Sequence, residues 1–127
     1  MNDDMTIATV IIQVCFNYFG VPIELKDNPT RKREKVAACQ YSMYFLRAYT
    51  HLSLAEAGSL FGRDHATTLH SCKKLNFEIS KYKDARLDAG NLEVKINDKI
   101  RELHLIIQKA LEDFNESKYA QYDTDLV

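Results

Sequence analysis

The chain has 127 residues, an apolar share of 46% and a net charge of −1, which suits one domain with a modest core and lies well above the disordered range. It holds no uncharged apolar run of the roughly 18 residues that a membrane span needs. Cys15, Cys39 and Cys72 are widely spaced and form no CxxC pair, which argues against a disulfide framework or a cysteine zinc site and for a reducing, cytoplasmic setting.

The first predicted element is a helix over 5–19, with Ile7, Val10, Ile11, Val14 and Tyr18 on one stripe. Its apolar stretch is interrupted by Gln13 and Asn17 and preceded by two aspartates, so it reads as a core helix rather than a leader. Gly20 and Pro22 stop it, and Asp27-Asn28-Pro29 supply turn chemistry in the loop that follows. The run Arg31-Lys32-Arg33-Glu34-Lys35 opens a second helix to about residue 49, with Val36, Cys39, Met43 and Leu46 as its apolar positions.

Ser53 and Glu56 form a capping box for a short helix whose inner face is Leu54, Ala57 and Leu60 and which ends at Gly62. Asp64 caps the next helix, 64–81, with Leu69, Cys72, Leu75 or Asn76, and Ile79 facing inward. Two helices meeting across a tight glycine corner are a helix-turn-helix pattern over 53–81. A long last helix is expected over 91–117, starting after Gly90. Leu92, Ile96, Ile100, Leu103, Ile107, Leu111 and Phe114 make its apolar stripe. The polar, acidic tail from Ser117 is expected to fray. The whole is a single domain of all-α class, with no repeat.

Charge is segregated along the chain. Residues 1–25 hold three acids and no Lys or Arg, 26–50 hold six bases against two acids, 62–86 six against three, and 87–127 five against nine. The positive middle is an electrostatic footprint for a polyanion. Within it, Phe61 to Lys74 puts polar side chains at a helix start ahead of the first apolar position. Unpaired N–H groups there favour a phosphate, and short polar groups reach base edges in a major groove. A solvated cap with a polar first turn explains the same residues equally well.

The stretch Gly62 to Cys72 resembles the signature Gly-Gly-Arg-Asp-His-Thr-Thr-Val-Leu-His-Ala-Cys of the C-terminal DNA-binding domain (domain IV) of the bacterial replication initiator DnaA. Leu52 to Gly58 resembles that family's Leu-Ser-Leu-Pro-Glu-Ile-Gly, and Thr30 to Thr50 its basic loop and helix. The similarity runs from residue 5 to about 84 and, more loosely, into the last helix. It implies an orthogonal helical bundle with a Trp-repressor-like helix-turn-helix, and sequence-specific binding of double-stranded DNA in replication initiation or its regulation.

By position, the resemblance places Arg31 or Arg33 in the minor groove, where a narrow groove's potential attracts arginine. Asp64, His65 and Ala66 would contact bases in the major groove. Gln40, Arg47, Leu54, Ala55, Thr67, Thr68, His70 and Lys73 would lie at or near the backbone, and Arg63 would be structural or phosphate-facing. Three departures imply a weaker or altered sequence preference: one glycine before Arg63 in place of two, Ala66 in place of Ser or Thr, and Cys39 in place of an arginine.

No GxxxxGK[ST] loop occurs, so no nucleotide or other cofactor is expected. His65, His70 and Cys72 match no tetrahedral metal spacing, and no nucleophile sits in a recognisable setting, so neither a metal nor an enzyme activity is expected. Most of the tyrosines read as half-buried packing residues whose hydroxyls reach water. The competing reading is a protein-interaction or dimerisation module, with a second copy paired through the last helix, or a transcriptional regulator using the same fold.

Overall fold

Asp3, Ser53 and Asp64 each place a side-chain oxygen at a helix start, and they open α1 (Asp4–Tyr18), α3 (Leu54–Ser59) and α4 (His65–Lys81). With α2 (Arg33–Tyr49), α5 (Lys83–Leu126) and one 3-10 turn at Ile23–Leu25, these make up the secondary structure of a computed structural model. It describes residues 3–126, with side chains as far as Ser117. No strand occurs among the described residues, so the protein is all-α. Nor is any helix among them long and apolar enough to cross a membrane.

The chain divides into two units, residues 1–96 and 97–127. In the first, α2 packs on α1, α3 and α4. Its core joins Ile11, Cys15 and Phe16 of α1, Ala38, Met43 and Leu46 of α2, Phe61 between α3 and α4, Leu75 of α4, and Leu92 and Ile96 of α5. Phe61 stacks on Phe16 with ring centroids 6.2 Å apart, which seats the corner between α3 and α4 on the first helix.

The buried face of α1 is Ala8, Ile11, Ile12, Cys15 and Phe16, rotated from the expected stripe: Ile7, Val10 and Val14 are half-buried. That helix is apolar on most sides, so periodicity alone does not orient it. Tyr41 also departs from expectation. It is buried, and its hydroxyl donates to the Ala85 carbonyl at 3.3 Å instead of reaching water.

The largest departure is the last helix. It begins at Lys83, not near residue 91, with only Tyr82 between it and α4. Arg86 explains the abrupt join, because its guanidinium donates back to the carbonyls of Ile79 (3.4 Å) and Ser80 (3.2 Å) and satisfies the end of α4. The Tyr18 hydroxyl then donates to Asp88 at 2.8 Å and accepts from Asn91 at 3.1 Å, holding the first turns of α5 against α1. Gly90 sits inside the helix. An interior glycine costs only about 1 kcal/mol, less than the burial of Leu92 and Ile96 returns.

The second unit is the remainder of α5, and its helix continues to Leu126, past the expected fraying point at Ser117. Leu105, Ile106, Leu111 and Phe114 are each more than half exposed there, and Ile107 is 43% exposed.

The corner between α3 and α4 closes as a Schellman motif. Gly62 adopts φ +67°, a left-handed conformation that glycine takes without strain. Its N–H donates to Ser59 O (3.2 Å) and that of Arg63 to Gly58 O (2.9 Å), satisfying the last carbonyls of α3. Gly58 matters for a different reason. A Cβ there would collide with Thr68 Oγ1 and stand 2.9 Å from the Arg63 carbonyl, so only glycine lets α4 start this close to α3.

Both caps are formed. The Ser53 hydroxyl accepts from Glu56 N (3.1 Å) while the Glu56 carboxylate accepts from Ser53 N (2.9 Å), and Asp64 accepts from Thr67 N at 2.8 Å. These bonds hold Glu56 and Asp64 below the usual carboxylate range.

Two outcomes follow from this corner. Gly58→Ala should lower the stability of the fold by about 1–3 kcal/mol, the usual cost of overpacking, in a denaturant titration. A carboxylate with a depressed folded-state pKa contributes stability that is present above its unfolded pKa and lost as pH falls through its folded one. Thermal unfolding should therefore show a decline on the acid side, extending below the usual carboxylate range. Glu56→Gln with Asp64→Asn should flatten that decline; an unchanged acid limb would mean that the caps carry no pH dependence.

Candidate nucleic-acid interface

The packing of α4 decides which of its side chains are available. Thr68, Ser71 and Leu75 point inward and are buried. Thr68 fits the close approach that Gly58 permits, and its hydroxyl donates to Asp64 O at 2.9 Å. Thr68 is thus turned away from any ligand at the helix start, unlike the backbone-contacting position expected for it. Leu69, Cys72 and Ile79 are only half-buried and Asn76 is exposed, because the inner stripe runs through 68, 71 and 75.

The opposite face is open. Asp64, His65, Ala66, Thr67, His70 and Lys73 are all exposed, and with them the adjacent Lys74. Asp64 has one carboxylate oxygen committed to the cap, which orients the group and fixes its place at the helix start. Arg63 is half-buried beside Cys39, whose thiol burial pushes up despite the neighbouring Lys35 and Arg63 charges.

The basic loop lies against the same corner. The Lys26 ammonium donates to Leu60 O at 2.9 Å, and the Lys35 ammonium to the Asn28 carbonyl. Downstream of these anchors Arg31, Lys32 and Arg33 are exposed. Lys35 is only 2% exposed, so it does not belong to the outward charge of the run in which it stands.

Two open recesses show which candidate residues the fold gathers. One, of about 720 Å³, brings Arg31, Arg33 and Gln40 to Lys74 and Glu78 of α4, with Asp84 and Asp88 also on its wall. The other, of about 370 Å³, joins Arg47, Leu54 and Lys73. Arg47 is exposed and steadied by a bond from its guanidinium to Leu52 O at 3.3 Å. Ala55 is exposed in the first turn of α3. Among the described residues, no salt bridge engages Arg31, Lys32, Arg33, Arg47, Arg63 or Lys73. Their charges are not neutralised from within.

Sequence reasoning missed the inward Thr68 and the anchoring lysines. Thr68, Ser71 and Leu75 follow a three-and-four spacing, so a stripe including small polar residues was the available signal. Nothing in the sequence distinguishes Lys35 from the basic residues before it; only burial does.

Residues 8–75 match the family model described as the bacterial DnaA protein helix-turn-helix, which covers more than half of the chain. The chain is similar to the chromosomal replication initiator protein DnaA of Flavobacterium psychrophilum, 38% identical over 88 residues, 68% of this chain and 18% of that protein. It is also similar to that of a Picosynechococcus strain, 36% identical over 96 residues, 75% of this chain and 20% of that one. The corresponding Bacteroides fragilis protein is 36% identical over 90 residues, 70% of this chain and 19% of the relative. This chain therefore spans about a fifth of the length of these relatives. A helix-turn-helix closed by Gly62 and capped by Asp64, within a matched stretch that also takes in α2 and its basic loop, places the chain in the bacterial DnaA helix-turn-helix family.

Proposed function

We propose that this protein binds double-stranded DNA, reading the major groove with the start of α4 and the minor groove with the loop before α2. The observation that carries the reading is the exposed, cap-ordered start of α4 beside a run of three bases, Arg31 to Arg33, that no salt bridge engages among the described residues. Asp64, His65 and Ala66 are the base readers. A neutral imidazole both donates and accepts, and an alanine methyl packs on a thymine methyl. Arg31, with Arg33, enters the minor groove. Thr67, His70, Lys73, Arg47, Gln40, Arg63 and the Leu54–Ala55 turn meet the phosphates and set register.

The process is replication initiation or its regulation, in the cytoplasm. The protein acts as a reader and not as an enzyme, taking neither nucleotide nor metal. In support, the described thiols are unsuited to nucleophilic work: burial raises those of Cys39 and Cys72 and pushes Cys15 to about 12.

A second copy joins through α5. The stripe Leu103, Ile107, Leu111 and Phe114 is helical in period and largely exposed over the second unit, as a helix with an apolar partner would be. Two copies double the readout available to one small module.

Fluorescence anisotropy against a duplex carrying an initiator box (TTATCCACA) and a scrambled one, at several salt concentrations, tests the reading. Salt-sensitive binding to duplex is expected; its absence at every salt concentration favours a pure interaction module. Arg31→Ala with Arg33→Ala should weaken both duplexes and reduce the slope of log K against log salt by about one per contact removed. His65→Ala should lower discrimination by about 1–3 kcal/mol, more than it lowers general affinity. Sedimentation equilibrium should give a dimer that Ile107→Glu with Phe114→Glu converts to monomer while the duplex is still bound. A monomer at all concentrations for the unaltered chain would remove the second copy.

A further inference from the structure

The loop that carries Arg31 and leads into Arg33 at the start of α2 has little regular structure of its own. After the 3-10 turn its backbone supplies a bond from Asn28 N to Leu25 O (3.0 Å) and an Asx turn in which Thr30 N donates to Asn28 Oδ1 (3.0 Å). The remaining polar anchors come chiefly from two lysines that face the protein. Lys35, in the first turn of α2, is buried to 2% exposure and gives its ammonium to the Asn28 carbonyl. Lys26 gives its ammonium to Leu60 O in the corner that feeds α4, and it also meets Asp27 at 3.3 Å. Cys39 Sγ lies 3.9 Å from the Lys26 carbonyl and closes the loop against α2.

A buried ammonium is costly unless its donors are used. An apolar side chain would fill the Lys35 site without that cost, so what the lysine adds there is the bond to the loop. The two anchors also act in series. Lys35 fixes the loop to α2 just before Arg31, and Lys26 fixes it to the turn just before Asp64.

We infer that Lys26 and Lys35 are positioning residues that hold the basic loop and the start of α4 at one fixed separation, so that the two grooves are read by a single rigid unit. The inference rests on the DNA-binding reading and deepens it. The lysines themselves touch no DNA. They set the spacing at which Arg31 and His65 engage it together, and productive recognition is lost when such groups are left loose.

Lys35→Met keeps the aliphatic stem and removes only the ammonium. In the full chain it should weaken duplex binding about tenfold, a change of about 1.4 kcal/mol. The deciding measurement is a double-mutant cycle. Lys35→Met with Arg31→Ala and Arg33→Ala should bind no more weakly than Arg31→Ala with Arg33→Ala alone, since a segment without its minor-groove arginines has nothing to position. Additive losses would overturn the inference, because an independent charge or a general loss of stability behaves that way. Loop order is read separately, without DNA, from 15N relaxation of the amides of residues 28–32. Those of Asn28 and residues 30–32, Pro29 having no N–H, should become mobile in Lys35→Met while the amides of α4 stay as they are, and equal order in variant and unaltered chain would overturn the inference alone. Should Lys35→Met fail to fold, Lys26→Met, whose side chain is 34% exposed, carries the same two measurements. No duplex binding by the unaltered chain would overturn the DNA-binding reading and the inference with it.

Discussion

The contact on which the interface depends is the close approach of α3 and α4 at Gly58. Because no Cβ stands there, the Thr68 hydroxyl and the carbonyls of Arg63 and Asp64 can sit against the α3 backbone. That fixes which face of α4 is inner, and therefore which is outer. Thr68, Ser71 and Leu75 go in, while His65, Ala66, Thr67, His70 and Lys73 are left facing solvent. Phe61, stacked on Phe16, then ties the corner to the core, so the exposed polar row is held by packing together with the cap bond from Thr67 N to Asp64.

Charge completes what packing begins. The chain as a whole is almost neutral, and a polyanion would find little to attract it in the average. The fold gathers bases from the loop, from α2 and from α4 onto surfaces beside the corner. It leaves most of them without acidic partners and turns Lys35 inward, where it organises backbone instead. Acids are not absent from these surfaces. Glu78, Asp84 and Asp88 share the recess with Arg31 and Arg33, and they oppose the phosphate-attracting field on that side.

Much of this was legible in the sequence, and the exceptions have physical causes. The caps at Ser53 and Asp64 and the glycine corner could be read because each depends on a few adjacent residues with one preferred geometry. The face of α1 could not, because a helix apolar on most sides carries no orienting contrast. The start of α5 was misplaced because Gly90 looks like a boundary. The bonds that keep the helix continuous through it join Tyr18 to Asp88 and Asn91, seventy or more positions away in the chain. The inward turn of Lys35 was hidden for the same reason, because it is decided by the Asn28 carbonyl of the loop, whereas that of Thr68 lay in a small-residue stripe with Ser71 and Leu75.

The bonds from Tyr18 to Asp88 and Asn91 also bear on how the protein comes into being. A chain emerging from the ribosome exposes its first helix long before it can present Asp88. Until then α1 lacks the partner for its last turn, and the Tyr41 hydroxyl lacks the Ala85 carbonyl. Closing a loop of that size costs entropy that local helix formation does not repay. The helix-turn-helix corner, built from neighbours, can therefore assemble during synthesis, while closure of the bundle waits for its two ends to meet.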